Sequence, residues 1–562
     1  MTDLTRERLA EPGAATTGLR TQSDSGGSVR RSLGLNPFDA GSLLLLAAVT
    51  VLVLVTFRDY AITNDEWIQH RYGELIIAYY KSGFADRAVF ALDNLYLYGG
   101  LFDVVAVLLS GVTALDAFDL RHLMSALCGV AGIGATIAAA RLLAGPRAGL
   151  LAGIALAVCG SWYGTMFHHT KDVPLGAAMI GALYFLLRCA RDLPTPRWRD
   201  VAGFGVLTGM ALGIKVLGLL LVCYVGVAIL LNIPFGAGVS LTAHARFVAR
   251  ALLRFAPGLL IAYGIMIVTW PWAALAPLNP VRGLFSFAAF HYDIATVLGG
   301  KLYRMATVPR WYVPNYIAIK IPLLMFAGAL LGLAIAAWPR LSGYCLSPRR
   351  RRDIGLIAAA TFFPVLCEVV VAGPAFCGMR HFLFVLPPLA VLAGVGLASA
   401  VAGAQRWRSP AGSLIFAAII AGFAWNALTL VRLHPYQYIA YNPLVGGLSG
   451  AYRNYVTDYW FTTMPAALDR LELYLARTEP AHQRDAASTY TVGVCGEKPA
   501  FVKRAPSHLH WTSDWRTADF LLTPTHMNCD TNGRGRIVAT VERLGVTLAV
   551  VWDQRLAALP GP

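Results

Sequence analysis

Runs of about 20 predominantly apolar residues recur along this 562-residue chain, and they restrict its fold more than any other feature. A run of that length crosses the hydrocarbon core of a bilayer as a helix. Only helices and closed barrels satisfy every backbone polar group there. With 57% hydrophobic and 14% charged residues, the chain lies far from a soluble protein, in which about a quarter of residues are charged. The chain reads as a polytopic α-helical membrane protein.

The spans are expected at 40–57, 123–143, 148–162, 174–187, 256–270, 316–338, 354–371, 382–401 and 413–431. Two more are expected within 201–231, turning near Gly213-Ile214-Lys215, for about eleven in all. Net charge is +16, from 47 Lys plus Arg against 31 Asp plus Glu. The excess sits largely in short loops: Arg30 and Arg31, Arg141 and Arg147, Arg188 to Arg199, Arg246 to Arg254, Arg349 to Arg352, and Arg406 with Arg408. The positive-inside rule accounts for it and places the N-terminus in the cytoplasm, so no nucleic-acid partner is implied.

Residues 1–39, rich in Thr, Ser, Gly and Arg, read as a disordered cytoplasmic tail, and no secretory signal of the usual form is present. Residues 40–431 form the membrane domain. An odd number of spans puts 432–562 outside, where alternating runs at 537–541 and 546–552 point to a small mixed α/β domain. Of nine cysteines, none forms a Cys-x-x-Cys pair, so a zinc or redox site is not expected. Cys495 and Cys529 lie in the outer region and could pair if it is exported.

With this topology the polar residues gather on one face. The segment 58–120 supplies Asp65, Glu66, Asp93 and Asp103, with Trp67–Lys81 and Tyr96–Val112 as expected amphipathic helices. The second outer turn supplies His168, His169, Lys171 and Asp172, followed by Lys215, the aromatic-rich segment 270–314 with His291-Tyr292-Asp293, and Arg380-His381. Ionisable groups at a membrane boundary are costly and usually functional. Carboxylates and cations converging there suit an enzyme that takes a lipid-linked phosphate donor from the bilayer and a polar acceptor from solution. A carboxylate accepts the acceptor's proton, and Arg and Lys hold the departing phosphate. Each group also has a plainer reading. Asp172 could only start a helix, Lys171 and Lys215 could snorkel, the histidines could be surface residues, and Arg380-His381 could be a neutral turn.

Several motifs then carry a resemblance. Asn64-Asp65-Glu66, Tyr98-Gly99-Gly100-Leu101-Phe102-Asp103 and His169-Thr170-Lys171-Asp172-Val173-Pro174 are joined by Gly378-Met379-Arg380-His381 with Leu386-Pro387-Pro388. His434-Pro435-Tyr436-Gln437, Asn442-Pro443-Leu444-Val445-Gly446-Gly447 and Asp458-Tyr459-Trp460 follow. In this order, over about 40–465, the chain resembles the polyprenyl-phosphate-sugar-dependent membrane glycosyltransferases. These are the family 39 enzymes and their relatives, including the protein O-mannosyltransferases and the aminoarabinose transferases of the C-type superfold.

The resemblance implies an inverting transfer on the periplasmic side of a bacterial inner membrane, to a glycolipid, polysaccharide or protein acceptor. It implies Asp65 as base, Glu66 as its neighbour and alternative, and Asp172 as the second acidic position. Lys171, Lys215, Arg380, His381, Asp103 and Tyr98 are the candidate substrate contacts. Metal use varies across the superfold, so no ion is assigned and a divalent cation is left open as the sole cofactor. Two departures stand out. Tyr-Gly-Gly replaces the Pro-Pro pattern of the aminoarabinose transferases, and Phe461 follows Asp-Tyr-Trp where relatives often have glycine. The rival readings are a transporter or flippase of a lipid-linked or anionic substrate, which calls for polar groups inside the spans, and an assembly protein acting through its outer domain.

Overall fold

The computed structural model describes residues 36–234, 240–289, 292–338, 347–373, 375–407, 409–479 and 489–558. Most of the expected N-terminal tail, with Arg30 and Arg31, lies outside the described residues, as do His291 and Arg408.

Helices dominate. The first half of the chain contains α1 (Pro37–Thr56), α2 (Asn64–Lys81), α3 (Leu101–Ser110), α4 (Ala117–Ala144), α5 (Pro146–Ala157), α6 (Gly160–Tyr163) and α7 (Asp172–Arg191). It continues with α8 (Trp198–Leu212), α9 (Leu219–Asn232), α10 (Leu241–Thr269), α11 (Pro271–Leu275) and α12 (Asn279–Ala288). A short hairpin of β1 (Ala295–Leu298) and β2 (Lys301–Arg304) precedes α13 (Tyr312–Lys320), α14 (Leu323–Ala337), α15 (Pro348–Val371), α16 (Leu386–Trp407) and α17 (Ser409–Leu433).

Each expected span falls on a helix. Among the described residues, seven helices are long and apolar enough to cross a membrane singly, or eight if the pair Tyr312–Lys320 and Leu323–Ala337, bent by 112°, is one broken span. The remaining expected spans correspond to the shorter helices α5, α8 and α9. A turn at 213–218 separates α8 from α9, as the sequence anticipates.

The packing sorts the spans by position. The stretch Arg380–Arg406, with 94% of its 18-residue apolar window buried, forms the centre, against which α4, α5, α14, α15 and α17 pack. Helices α1 and α17 have only 22% and 17% of their 18-residue apolar windows buried. They turn Leu44, Val55, Leu414, Trp425 and Val431 outward, as helices facing lipid do. At one end of the bundle, basic residues pair with acids opening neighbouring helices. Arg141 Nε lies 2.7 Å from Asp39, and Arg191 Nη2 lies 2.8 Å from Asp353. The candidate residues lie at the opposite helix ends.

Between α1 and α4 the expected helix over Tyr96–Val112 is shorter, because Gly99-Gly100 breaks it into a 3-10 turn at Leu95–Leu97 and α3. The break lets two turns touch through their backbones. The Leu101 amide donates to the Gly213 carbonyl at 2.8 Å, and the Gly100 amide to the Thr269 carbonyl at 2.9 Å. A Cβ on Gly99 would lie 2.2 Å from the Gly213 carbonyl carbon and oxygen. This contact sets Tyr98 beside Lys215. Thermal unfolding of Gly99→Ala in lipid is expected to show a loss of about 1–3 kcal/mol, the usual cost of forcing atoms into packed backbone. An unchanged midpoint would show that the two turns separate freely.

Beyond α17 lie α18 (Gly447–Ala451), α19 (Met464–Thr478), β3 (Tyr490–Val494), α20 (Lys498–Arg504), β4 (Leu509–Thr512), β5 (Phe520–Pro524), β6 (Arg536–Arg543) and β7 (Val546–Asp553). The five strands form one sheet in the order β4-β3-β5-β7-β6, parallel on the β4-β3-β5 side and antiparallel through β7 and β6. Helix α19 covers it, burying Leu468, Leu471 and Leu475 with Val492, Phe520, Leu522 and Val551 in a second core. The sequence expectation of a small α/β unit with strands near 537–541 and 546–552 matches this sheet. Cys495 and Cys529 form a disulfide.

Candidate active site

Asp65 is in the first turn of α2, where a capping box fixes the chain direction. The Glu66 carboxylate accepts from the Thr63 amide at 2.8 Å and from its hydroxyl at 3.0 Å, satisfying groups that a helix start leaves open. Its other oxygen lies 2.9 Å from His122 Nε2 on α4, and both side chains are buried. Glu66, expected as the alternative base, is therefore turned into the protein, away from Asp65. Successive helical residues point about 100° apart, so the two acids cannot share one face.

Asp65 instead faces Arg380, which begins the 3-10 turn Arg380–Val385 leading into α16. Arg380 Nη2 lies 2.6 Å from Asp65 Oδ2, and its Nε lies 3.8 Å from Asp172 Oδ2. Asp172 opens α7, so its plainer role as a helix-starting acid and its place in the cluster coexist. Lys215 Nζ, from the turn between α8 and α9, lies 2.5 Å from Asp172 Oδ1 and 3.4 Å from His381 Nδ1. Lys171 Nζ stands 4.1 Å from the centre of the Tyr98 ring, with Lys215 Nζ at 5.9 Å from it, an arrangement that favours cations over aromatic faces. Of the two acids Asp65 is the more accessible, its side chain 23% exposed against 7% for Asp172.

The structure thus brings Asp65, Asp172, Lys171, Lys215, Arg380, His381 and Tyr98 together from five separate stretches of chain. Asp103 is the exception among the candidate contacts. Its Oδ1 lies 2.7 Å from Arg121 Nη2, both groups are buried, and the same Arg121 nitrogen donates to Gln69 and Thr170. Asp103 is a support beneath the 168–172 turn, not part of the accessible face. The histidines are not surface residues either. His168 and His169 are 2% and 5% exposed. His169 stacks on the Tyr459 ring at 4.2 Å, with Nδ1 3.5 Å from Asp172.

Sequence reasoning missed Tyr459 as a site residue, although it is the middle residue of the Asp-Tyr-Trp motif. Its hydroxyl accepts from Arg380 Nη1 at 2.8 Å and donates to Asp65 Oδ2 at 2.8 Å. Phe461, two residues on, adopts φ +60°, a conformation that glycine takes without strain.

The electrostatics follow from these neighbours. Burial pushes the Asp65 carboxyl up, but the Arg380 charge, the Tyr459 hydroxyl and Lys171 outweigh it and hold the acid below its ordinary value. Burial also lowers the Lys171 ammonium to about 8, against the pull of Asp103 and Asp65. His168 is driven well below its ordinary value by burial and by its histidine neighbour, so it stays neutral. Among the described residues no group of three or more His, Cys, Asp or Glu side chains is arranged to hold a metal ion. Asp65 and Asp172 face cationic side chains, so the residues present do not form a cation site. A cleft lined by Arg470, Tyr474, Arg477 and Glu542 shares no residue with the cluster.

Comparison with known proteins adds the following. No curated protein sequence matches the chain. The fold is similar to that of ArnT from Cupriavidus metallidurans bound to undecaprenyl phosphate, with 16% identity, 93% of this chain and 99% of that one covered, and a TM-score of 0.48. It is also similar to the archaeal oligosaccharyltransferase AglB from Archaeoglobus fulgidus, with 12% identity, 86% and 69% covered, and a TM-score of 0.45. The family model for dolichyl-phosphate-mannose-protein mannosyltransferase matches residues 104–261, a stretch that holds Lys171, Asp172 and Lys215, while Asp65, Arg380 and Tyr459 reach the cluster from outside it. Over residues 104–261 the chain is thus similar to the dolichyl-phosphate-mannose-protein mannosyltransferases, which are membrane glycosyltransferases of the kind its motifs resemble.

Proposed function

We propose that this multi-pass membrane protein is an inverting glycosyltransferase that moves a sugar from a polyprenyl-phosphate donor to a hydroxyl acceptor outside the cytoplasm. The observation that carries this reading is Arg380 set between Asp65 and Asp172, with Lys171 and Lys215 alongside. Three cations and two carboxylates interleaved at the ends of helices suit a phosphate arriving from the bilayer.

The acceptor oxygen attacks the anomeric carbon as the carbon–oxygen bond to the lipid phosphate breaks, and Asp65 takes the hydroxyl proton. A phosphate is already a good leaving group, so no second carboxylic acid is required, in contrast to glycosidases. Arg380 and Tyr459 hold Asp65 as a weak base. When the donor phosphate draws the guanidinium and the lysines to itself, that restraint weakens and Asp65 becomes a better proton acceptor. Asp172 keeps Lys215 and Arg380 in place, and His381 and Tyr98 close the cluster around them.

The basic helix ends at one side of the bundle support an N-terminus in the cytoplasm. The Cys495–Cys529 disulfide supports an oxidising compartment at the other side, as in a bacterial periplasm. Residues 432–562 then form an extracytoplasmic domain carried by the membrane domain 40–431.

The direct test supplies purified protein in lipid with radiolabelled polyprenyl-phosphate sugars and a mixed envelope-glycan acceptor fraction. Release of polyprenyl phosphate with labelled acceptor is the expected result. Substrate-driven flux into liposomes without release would favour the transporter reading instead. A second expectation concerns pH. Lys171 loses its charge as pH rises through about 8, so kcat/KM should fall on a basic limb near there. Lys171→Arg keeps the charge and should remove that limb. Persistence of the limb would assign it to another group.

A further inference from the structure

Tyr459 comes from the far end of the chain, 394 residues from Asp65, yet it touches three parts of the cluster. Its hydroxyl links Arg380 to Asp65 and its ring lies against His169. The loop that presents it is gripped at both ends. At its start Arg453 adopts φ +59° and donates to Asn528 Oδ1 and Asp530 Oδ2, each at 2.5 Å. At its end Phe461 lies on Gly496, where an added Cβ would stand 3.1 Å from the ring. Between them the buried Asp458 carboxylate accepts from the Phe461 amide at 2.7 Å and the Tyr438 hydroxyl at 3.2 Å. Gly496 follows Cys495, while Asn528 and Asp530 flank Cys529. The disulfide therefore joins the two grips.

We propose that Tyr459 is a positioning residue for Asp65, and that the Cys495–Cys529 disulfide keeps it there by tying together the two anchors of its loop. The inference rests on the reading of Asp65 as the base, but it concerns how the outer domain completes the site. A dithiol reductant would give its two electrons to the S–S bond, leaving two protein thiols and the oxidised, cyclic disulfide of the reagent. The Arg453 and Phe461 anchors would then move independently and Tyr459 would leave Asp65, while the helical bundle stays folded.

The charged and titratable groups facing Asp65 are Arg380 from the turn before α16, Lys171, Asp172 and His169 from the 168–172 turn, Tyr98 before α3, and Tyr292 and Cys377 in outer segments. Against that background, removing the Tyr459 hydroxyl removes a bond that favours the ionised acid.

The experiment compares wild type, Tyr459→Phe and the Cys495→Ser/Cys529→Ser double variant, each with and without a dithiol. The first readout is the pH dependence of kcat/KM. The second is carbodiimide labelling of Asp65, followed by peptide mass, which needs no turnover because the reagent attacks protonated carboxyls. Tyr459→Phe, the double variant and reduced wild type should all lose roughly tenfold in transfer, the worth of one hydrogen bond to a charged group. Their acid limbs and the onset of Asp65 labelling should move to higher pH, and dithiol should add nothing to either variant. Labelling that is unchanged in Tyr459→Phe, or wild type indifferent to dithiol, would overturn the proposal. Labelling that moves as expected in a protein that releases no polyprenyl phosphate would uphold the positioning role and reject the glycosyltransferase reading.

Discussion

Asp65→Asn is expected to lower kcat/KM by about 10²–10⁴-fold, the usual contribution of a general base, while leaving the protein folded. The amide has the same shape, and its oxygen can still accept from the Tyr459 hydroxyl that now donates at 2.8 Å. Arg380 keeps Asp172 as a partner. What is lost is the proton acceptor. Glu66→Gln is the matching control, because its carboxylate is committed to the Thr63 cap and to His122. That variant should lose stability more than chemistry. Steady-state transfer and thermal unfolding measured on both proteins separate the two roles, and full activity in Asp65→Asn would reject Asp65 as base. Asp65 also contributes to stability through its depressed pKa. That contribution is present above the ordinary value of 3.8 and fades as pH falls through the lower folded value, so Asp65→Asn should reduce the loss of stability in acid.

Arg380→Met should be the most damaging single change to the site. The side chain is 12% exposed and joins two acids and a tyrosine hydroxyl. Without it, Asp65 and Asp172 repel each other in a poorly solvated place, and removing one partner from a buried charge pair costs about 3–5 kcal/mol. The expected results are a lower thermal midpoint, transfer below detection, and Asp65 labelling by carbodiimide at higher pH than in wild type. Arg380→Lys should recover most of the stability, because a cation is restored. It should recover little of the transfer, because a single ammonium cannot reach both carboxylates and Tyr459 with the geometry of a planar guanidinium. A stable, active Met variant would show that the carboxylates do not depend on Arg380.

Much of this was legible in the sequence. The apolar runs fix a helical membrane bundle, since no other structure but a closed barrel satisfies backbone groups in hydrocarbon. The basic loops order its two faces. Once the faces are known, Asp65, Asp172, Lys171, Lys215 and Arg380 fall on one side, because each lies at a boundary between an apolar run and a turn. The hairpin at Gly213–Lys215 and the strands of the outer sheet follow from the same local patterns.

The pairing of these groups was decided only in three dimensions. Asp65 and Glu66 are adjacent in the chain, but helical rotation sends one to the open cluster and the other into a cap. Asp103 looks equivalent to Asp65 in the sequence, yet Arg121 on α4 captures it beneath the site. Tyr459 approaches Asp65 from another end of the chain, set by a loop whose anchors lie just after β3 and beyond β5. Local periodicity is written in neighbours along the chain, so the sequence by itself determined the helices, their order and the face that carries the polar groups. The distances between charges depend on how those helices and the outer sheet pack. The tertiary structure alone therefore decided which carboxylate stays accessible in the cluster and which cation holds it.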